Sequence, residues 1–212
     1  DENWKCLPSP VLFSNIYDGE VYDANRDFRD CSGKICACAK EEAMPVSRAS
    51  APKAKLTERL SVPVTIHERL RPVSLLMTPA GEQVLDFGQE ITGWVEFDCK
   101  AEKGTRIYLQ YGEILQDGNF YRDNLRTAKA EFTYISDGSS AHVRPHFTFY
   151  GFRYVKVTGM TLTRENLDSF AFEACAVYSD LERTGRITTA NEKVNRLIEN
   201  TLWGQKGNFL DV

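Results

Sequence analysis

The residues of this chain best suited to chemistry are its acidic side chains, 30 Asp and Glu among 212 residues. Glu113 follows an aromatic run of alternating residues and precedes a polar, aromatic loop at 117–126. Proteins hold sugars with this combination, because aromatic rings cover the apolar faces of a sugar while carboxylates and amides bond its hydroxyls. The sequence therefore predicts five candidate sugar-contacting side chains: Glu113, Tyr121, Arg122, Asn124 and Arg126.

Glu113 also has a purely structural interpretation, in which its carboxylate forms an ion pair with Arg122 or Arg126. Hydrolysis of a glycosidic bond needs two carboxylates about 5–10 Å apart, and no spacing in this sequence identifies such a pair. No catalytic residue is assigned within the chain.

Three of the six cysteines crowd together as Cys31, Cys36 and Cys38. Zinc sites usually pair cysteines as C-x₂-C with a second pair downstream. The spacing here differs and no histidine lies near, so free or incidentally paired thiols are preferred over a metal site. Cys99 and Cys175 lie in strand-like runs and are expected to be small buried hydrophobic residues.

The remaining signals for metals and cofactors are weak. His142 and His146 flank the start of a predicted strand without a third ligand at a suitable spacing, which favours a solvated strand end. Neither a Gly-x-Ser-x-Gly elbow nor a phosphate-binding glycine loop is present. Gly88 and Gly93 are expected to be turn and bulge glycines, and no metal or cofactor is predicted.

Composition excludes other classes of partner. Hydrophobic residues make up 42% and charged residues 26% of the chain, as in soluble globular proteins. The net charge of −4 gives no reason to expect nucleic acid. No apolar run approaches the roughly 20 residues that span a bilayer, so no membrane association is predicted.

Short runs of period two fill the region from about 62 to 177, separated by Gly and Asp turns. Eight to ten such strands predict a mostly β protein built as an antiparallel β-sandwich. Alternation assigns the following residues to the core: Leu85, Phe87, Val95, Phe97, Ile107, Leu109, Phe132, Tyr134, Phe149, Phe152, Val155, Val157, Phe170 and Phe172.

The two ends of the chain differ from this middle. Residues 1–28 are predicted to be the tail of an upstream β domain, and 29–60 a mobile linker rich in Ala, Lys, Ser and Pro. The β-sandwich is assigned to 61–185. Residues 191–203 predict an amphipathic helix with Asn191 as N-cap, whose apolar stripe contains Val194, Leu197, Ile198, Leu202 and Trp203.

Several longer motifs resemble one family in order along the chain. They are 84–94 (VLDFGQEITGW), 111–115 (YGEIL), 124–129 (NLRTAK), 147–155 (FTFYGFRYV), 179–185 (SDLERTG) and 203–212 (WGQKGNFLDV). Together they are similar to the bacterial α-L-rhamnosidase family of glycoside hydrolases. Glu90 departs from the family's usual Asn, and Asn25 from its usual Arg.

The resemblance implies an inverting hydrolase that releases terminal α-L-rhamnose from glycosides. It also implies that residues 186–212 begin an α/α-barrel catalytic domain, so that the sandwich's partners are this barrel in the same chain and, for the parent enzyme, a rhamnose-containing glycoside. The family's catalytic acids follow position 212, so the chain itself is expected to be inactive. Its compartment, cytoplasmic or periplasmic, stays open.

Three functions compete at this stage. The chain is an accessory sandwich that carries and orients a catalytic barrel, a carbohydrate-binding module with its own sugar site, or a self-contained enzyme with an internal acid pair. The first is preferred. An unpartnered helix stripe further predicts self-association through residues 191–203.

Overall fold

The computed structural model describes residues 3–29 and 33–211. These residues form a mostly β structure with one α-helix near the C-terminal end, which confirms the predicted fold class. The strands are β1 Lys5–Cys6, β2 Val11–Asn15, β3 Gly19–Asp23, β4 Met44–Pro45, β5 Val64–Leu70, β6 Ser74–Met77, β7 Gln83–Cys99, β8 Arg106–Gly112, β9 Ile114–Gln116, β10 Asn119–Tyr121, β11 Glu131–Ile135, β12 Ala141–Val143, β13 Tyr150–Thr158 and β14 Glu173–Ser179, and the helix is α1 Glu192–Asn208.

Ten of these strands form one sheet in the order β2-β3-β11-β8-β13-β7-β14-β5, with β6 and β12 also paired to β7. The pairing is antiparallel except between β3 and β11, which run parallel. The long strand β7 pairs with β13 and β6 along its first half and with β14 and β12 along its second. It therefore joins the two halves of the curled sheet, which encloses the core as a sandwich.

The N-terminal strands extend this same sheet. Gly19 of β3 lies opposite Glu131 of β11, and β2 forms the outer edge. Residues 46–60, in contrast, form neither strand nor helix and are solvent-exposed. The division of the chain at 28, 60 and 185 and the mobility of the linker stay predictions.

The predicted core is confirmed at twelve of its fourteen positions, all buried. Phe97 stacks on Phe172 with ring centroids 5.2 Å apart. Two further rings, Tyr111 and Tyr150, stack at 3.8 Å inside the core. The predicted core does not include these two residues. In the structure the Tyr150 hydroxyl donates to the Glu131 carbonyl at 2.9 Å.

Phe149 and Phe170 were wrongly placed among the buried residues. Phe170 is half-buried at the edge of the core. Phe149 is half-buried because its strand begins only at Tyr150. The buried Glu20 carboxylate accepts the backbone N–H groups of His146 and Phe147, each at 3.0 Å from Oε2, and these amides are thereby withheld from the sheet.

The predicted turn between two strands at 87–88 is instead a bulge inside β7. On β13, Phe152 lies opposite Ile91 and Tyr154 lies opposite Asp86. Residues 87–90 of β7 therefore have no partner on β13. Gly88 adopts a φ of 76° within this bulge, a conformation that glycine accepts without strain. At Gly93 a Cβ would collide with the Cys175 carbonyl oxygen of β14. Gly88 therefore lies in a bulge rather than in the predicted turn, and Gly93 allows the close approach of β14 rather than forming the predicted bulge.

The C-terminal helix begins as predicted and ends later. The Asn191 side chain accepts the Lys193 N–H at 2.9 Å, which confirms the N-cap. The helix continues past the predicted end at 203 to Asn208, despite Gly204 and Gly207, because its last turns lie against β7 and β14. Within the described residues, no helix is both long and apolar enough to cross a bilayer.

The cysteine predictions have mixed outcomes. Cys99 and Cys175 are buried free thiols, as expected. Cys31 lies outside the described residues, and so the state of the Cys31, Cys36 and Cys38 group stays a prediction.

Candidate functional site

A cleft of about 700 Å³ lies between the bulge of β7 and the inner side of α1. Residues from β7, β9, β13 and α1 form its walls. The polar and aromatic side chains that line it are Gln89, Glu90, Thr92, Glu113, Arg153, Arg196, Asn200, Trp203 and Asn208.

The bulge is fixed by an ion pair beneath it. Arg153 Nε and Nη2 donate to the two carboxylate oxygens of Asp86 at 2.8 and 2.9 Å, a bidentate geometry that is strong and directional. The Gly88 N–H also donates to Asp86, at 2.7 Å. Burial alone would raise the pKa of Asp86, but the bonds from Arg153 and Gly88 hold this pKa below its usual value. Asp86 therefore remains charged and holds the bulge in place.

Two carboxylates meet on the cleft floor above Gly151. A Cβ at Gly151 would lie 3.7 Å from Glu113 Oε1 and 3.9 Å from Glu90 Oε1. Glycine at this position thus leaves both acids open to the cleft. Glu113 is held in place by Asn124, whose amide donates to Glu113 Oε2 at 2.6 Å.

Glu90 has the more perturbed environment of the two acids. Its side chain is solvent-exposed through the cleft, although the surrounding walls partly desolvate the carboxylate. This desolvation is the larger cause, and the negative charge of Glu113 is the smaller one. Together they raise the pKa of Glu90 to about 8, against the opposing effect of Arg153. Glu90 therefore retains its proton to a higher pH than an ordinary glutamic acid, and in that form it can donate as well as accept a hydrogen bond.

The helix wall of the cleft carries Arg196, Asn200 and Trp203. The side chains of Arg196 and Asn200 form no hydrogen bond with any other described residue. Lys206 Nζ lies 4.1 Å from the centre of the Trp203 ring and holds it in place. The helix thus presents spare polar groups and one fixed aromatic ring to the cleft.

A cluster at the far end of α1 attaches the helix to the sheet. Lys206 Nζ forms an ion pair with Glu68 Oε1 at 2.6 Å, and the Tyr178 hydroxyl donates to the same oxygen at 2.9 Å. Burial would lower the pKa of Lys206, but its bond to Glu68 raises this pKa instead. We call Glu68, Tyr178, Trp203 and Lys206 the helix clamp.

Backbone contacts reinforce the clamp. The Thr92 hydroxyl donates to the Gly207 carbonyl at 2.8 Å, and the Ser179 N–H donates to the Phe209 carbonyl at 2.6 Å. The C-terminal half of α1 is therefore bound to both β7 and β14. Its first half projects outward, where Val194 and Leu197 are 39% and 64% exposed.

The five predicted sugar contacts do not form one site in this structure. Glu113 lines the cleft and Asn124 bonds to it. Arg122 pairs instead with Glu131 at 3.1 Å, so the predicted Glu113–Arg122 ion pair is wrong. Tyr121 ends the short hairpin of β9 and β10, and Arg126 is exposed with a φ of 58°. Direct sugar contact by these residues stays a prediction.

The sequence analysis missed Glu90 and Arg153 as members of the site. The only sequence signal was that Glu90 departs from the family's usual Asn within 84–94. The raised pKa of Glu90 depends on the cleft between the β7 bulge and α1, and this cleft forms only in the folded chain.

The histidines serve the sheet rather than the cleft. His142 in β12 bonds to Asp98 at 2.8 Å and to Glu96 at 3.2 Å, and Arg69 pairs with Glu96 at 2.8 Å. Burial would raise the pKa of Glu96, but the bonds from Arg69, Trp94 and His142 lower it to about 2. This network ties β5, β7 and β12 together.

Comparison with known proteins assigns the fold to a family. Residues 1–68 match the alpha-L-rhamnosidase N-terminal domain, and residues 76–178 match the bacterial alpha-L-rhamnosidase concanavalin-like domain. An alpha-L-rhamnosidase of Alteromonas sp. (strain LOR) is 32% identical over 215 residues, covering all of this chain and 23% of that protein.

Solved structures agree with this assignment. The alpha-L-rhamnosidase of Aspergillus terreus superimposes with a TM-score of 0.87 at 32% identity, covering 99% of this chain and 24% of that one. The Streptomyces avermitilis alpha-L-rhamnosidase, solved in complex with L-rhamnose, gives 0.87 at 29% identity, covering 100% and 20%. The chain belongs to the bacterial α-L-rhamnosidase family of glycoside hydrolases. It spans less than a quarter of the length of these relatives.

Proposed function

We propose that this chain is the accessory β-sandwich region of a longer inverting α-L-rhamnosidase, in which it supports and orients a catalytic helical barrel. The observation that carries the proposal is the helix clamp. The last turns of α1 are bound to the sheet by an ion pair, a cation–aromatic contact and a hydrogen bond to a backbone carbonyl of the helix. Whatever follows α1 along the chain is thereby given a fixed direction relative to the sandwich.

The proposed substrate of the longer enzyme is a glycoside ending in α-L-rhamnose. Support comes from the alpha-L-rhamnosidases that match this chain along its whole length. The region itself is proposed to be non-catalytic. The two acids of its cleft are Glu90, whose pKa is raised, and Glu113, which is bonded to Asn124, and they are proposed to have no part in hydrolysis.

The test is hydrolysis of an aryl α-L-rhamnoside by the 212-residue chain and by a longer form that adds the helical domain. The longer form is expected to turn over the substrate, and the 212-residue chain is expected to show no release above buffer. Steady turnover by the short chain that disappears in Glu113→Gln would overturn the proposed division of labour. If a well-folded longer form does not turn over the aryl α-L-rhamnoside, the proposed activity is wrong.

The orienting role has a separate readout. In the longer form, Lys206→Met should lower kcat more than it changes KM, because it loosens the helix that leads to the barrel without changing the barrel itself. Lys193→Met, on the exposed first turn of the same helix, is the matched control. Equal kinetics for the two variants would mean that the clamp does not orient the catalytic unit.

A further inference from the structure

We propose that the cleft between the β7 bulge and α1 is a binding site for one ring of a neutral sugar, with Glu90 and Glu113 bonding its hydroxyls and Trp203 forming an aromatic wall. The site lies within the accessory region itself and does not depend on any catalytic step. It would give this region a ligand of its own, beyond the proposed support of a barrel.

The size of the cleft fits such a ligand. Small-molecule sites typically occupy about 300–1,000 Å³, and this cleft has a volume of about 700 Å³. Gly151 leaves its floor open, since it has no side chain between the two acids. The volume of the cleft is therefore sufficient for one sugar ring.

The hydrogen-bonding capacity of the walls is largely unused. Glu113 uses Oε2 for Asn124 and leaves Oε1 toward the floor. The carboxylate of Glu90 accepts no hydrogen bond from another described residue, and the side chains of Arg196 and Asn200 form none. Sugar hydroxyls both donate and accept, so they can satisfy acids, amides and guanidinium groups at once.

The charges that face Glu90 favour a neutral ligand over an ion. Glu113 is an acid at the end of β8, Arg153 is a cation on β13 already paired with Asp86, and Arg196 is a cation on α1. An anion would meet Glu113, and a cation would meet Arg153 and Arg196. A neutral polyhydroxyl ligand meets no like charge.

The aromatic wall is preorganised. Lys206 fixes the Trp203 ring from one side and is itself held by Glu68. A rigid ring loses little conformational entropy when a ligand packs against it. The same clamp that holds the helix thus also shapes the site.

The test is titration of the 212-residue chain with L-rhamnose and, separately, with D-galactose. The readout is the chemical shift of the backbone amide and indole NMR signals. Trp203 and Gly151 are expected to shift in a saturable manner, with a Kd in the range of about 1–10 mM typical of weak sugar sites. Trp94, whose indole bonds to Glu96, and the exposed Trp4 are internal controls and should not shift.

Three variants locate the site. Gly151→Val places a strand-favouring side chain between the acids and should abolish the shifts, and Glu90→Ala should weaken binding at least about tenfold. Glu90→Gln should retain binding. Unchanged Trp94 signals show that a variant is folded, and Glu90→Ala decides the matter if Gly151→Val does not fold.

A pH series adds a second readout. Binding to the unsubstituted chain should weaken between pH 7 and 9 as Glu90 loses its proton, whereas binding to Glu90→Gln should not. Absence of a saturable shift with both sugars would overturn the proposal, as would shifts that survive both Gly151→Val and Glu90→Ala.

The choice of L-rhamnose as first probe rests on the proposed function, and the second sugar separates the two ideas. Binding of either sugar that is lost in the variants supports the site. Binding of D-galactose alone would keep the site and remove rhamnose as its ligand. The aryl-rhamnoside assay judges the enzymatic proposal independently.

Discussion

Replacing Lys206 by Met should release the C-terminal half of α1 from the sheet. Methionine retains an apolar stem that can cover Trp203, but it removes the positive charge that pairs with Glu68 at 2.6 Å and lies 4.1 Å from the Trp203 ring centre. The Glu68 carboxylate is then left with the Tyr178 hydroxyl alone. The substitution therefore tests the clamp with little change in side-chain volume.

The expected magnitude follows from these contacts. A hydrogen bond to a charged group contributes about 1.5–3 kcal/mol, and a partly exposed cation–aromatic contact about 0.5–1 kcal/mol. The lower ends of these two energy ranges apply, because Lys206 and Glu68 keep 30% and 28% of their side-chain surface exposed. A loss of about 2 kcal/mol corresponds to roughly a 30-fold change in the opening equilibrium.

Hydrogen exchange of backbone amides measures this opening directly. Amides of the last two turns of α1 should exchange roughly 30-fold faster in Lys206→Met, whereas amides of β8 and β13 should be unchanged. Glu68→Gln should give a similar effect, and the double variant should be less destabilised than the sum of the two, because neither charge is then left alone. Lys193→Met is the control.

The reasoning would be refuted by exchange that rises less than about threefold in the last turns of α1. It would also be refuted by an equal rise in the sheet, since the clamp would then belong to the global fold rather than to the docking of the helix.

Three further outcomes are expected. Phe97→Ala, at a fully buried ring, should lower the free energy of unfolding by about 3–5 kcal/mol, whereas Phe149→Ala should cost less than half as much; equal losses in denaturant titration would contradict the core assignment. Because the folded-state pKa of Glu96 is about 2, below its ordinary 4.5, its ion pairs stabilise the fold above pH 4.5 and are lost as the pH falls toward 2; the stability deficit of Glu96→Gln should therefore be largest near pH 7 and shrink toward pH 2, and a constant deficit would contradict this. The exposed stripe on α1 should make the chain self-associate at high concentration in sedimentation, and Leu197→Lys should suppress this while Glu199→Lys should not; a monomer at all concentrations would count against the stripe as an interface.

Local patterns were sufficient for much of the fold. Alternation in 93–99 and 106–111 placed Phe97 and Ile107 in the core, because a strand with one buried face shows this period directly. Asn191 was found as N-cap because capping depends on residues within one turn. Buried Cys99 and Cys175 followed from the apolar runs that contain them.

Features that depend on distant residues were not predictable in this way. The parallel pairing of β3 with β11 joins residues more than a hundred positions apart. Phe149 appeared to belong to a buried strand, but Glu20, 129 residues earlier, bonds the preceding amides. Similarly, the partner of Arg122 is Glu131 on a neighbouring strand rather than Glu113, and the two acids are equally far from Arg122 in sequence.

The cleft shows most clearly why the site escaped local reasoning. A glycine and an acid in sequence predict a turn at Gly88, and a turn would not have placed Glu90 in one cleft with Glu113. In the structure β7 is continuous with a bulge that is held by the bidentate bond between Asp86 and Arg153. Helix α1 forms the opposite wall of the cleft because its last turns are clamped to the sheet. Because α1 forms one wall of the cleft that contains Glu90, loosening the clamp should expose this cleft further and lower the pKa of Glu90 toward its ordinary value, even though Lys206 does not touch it.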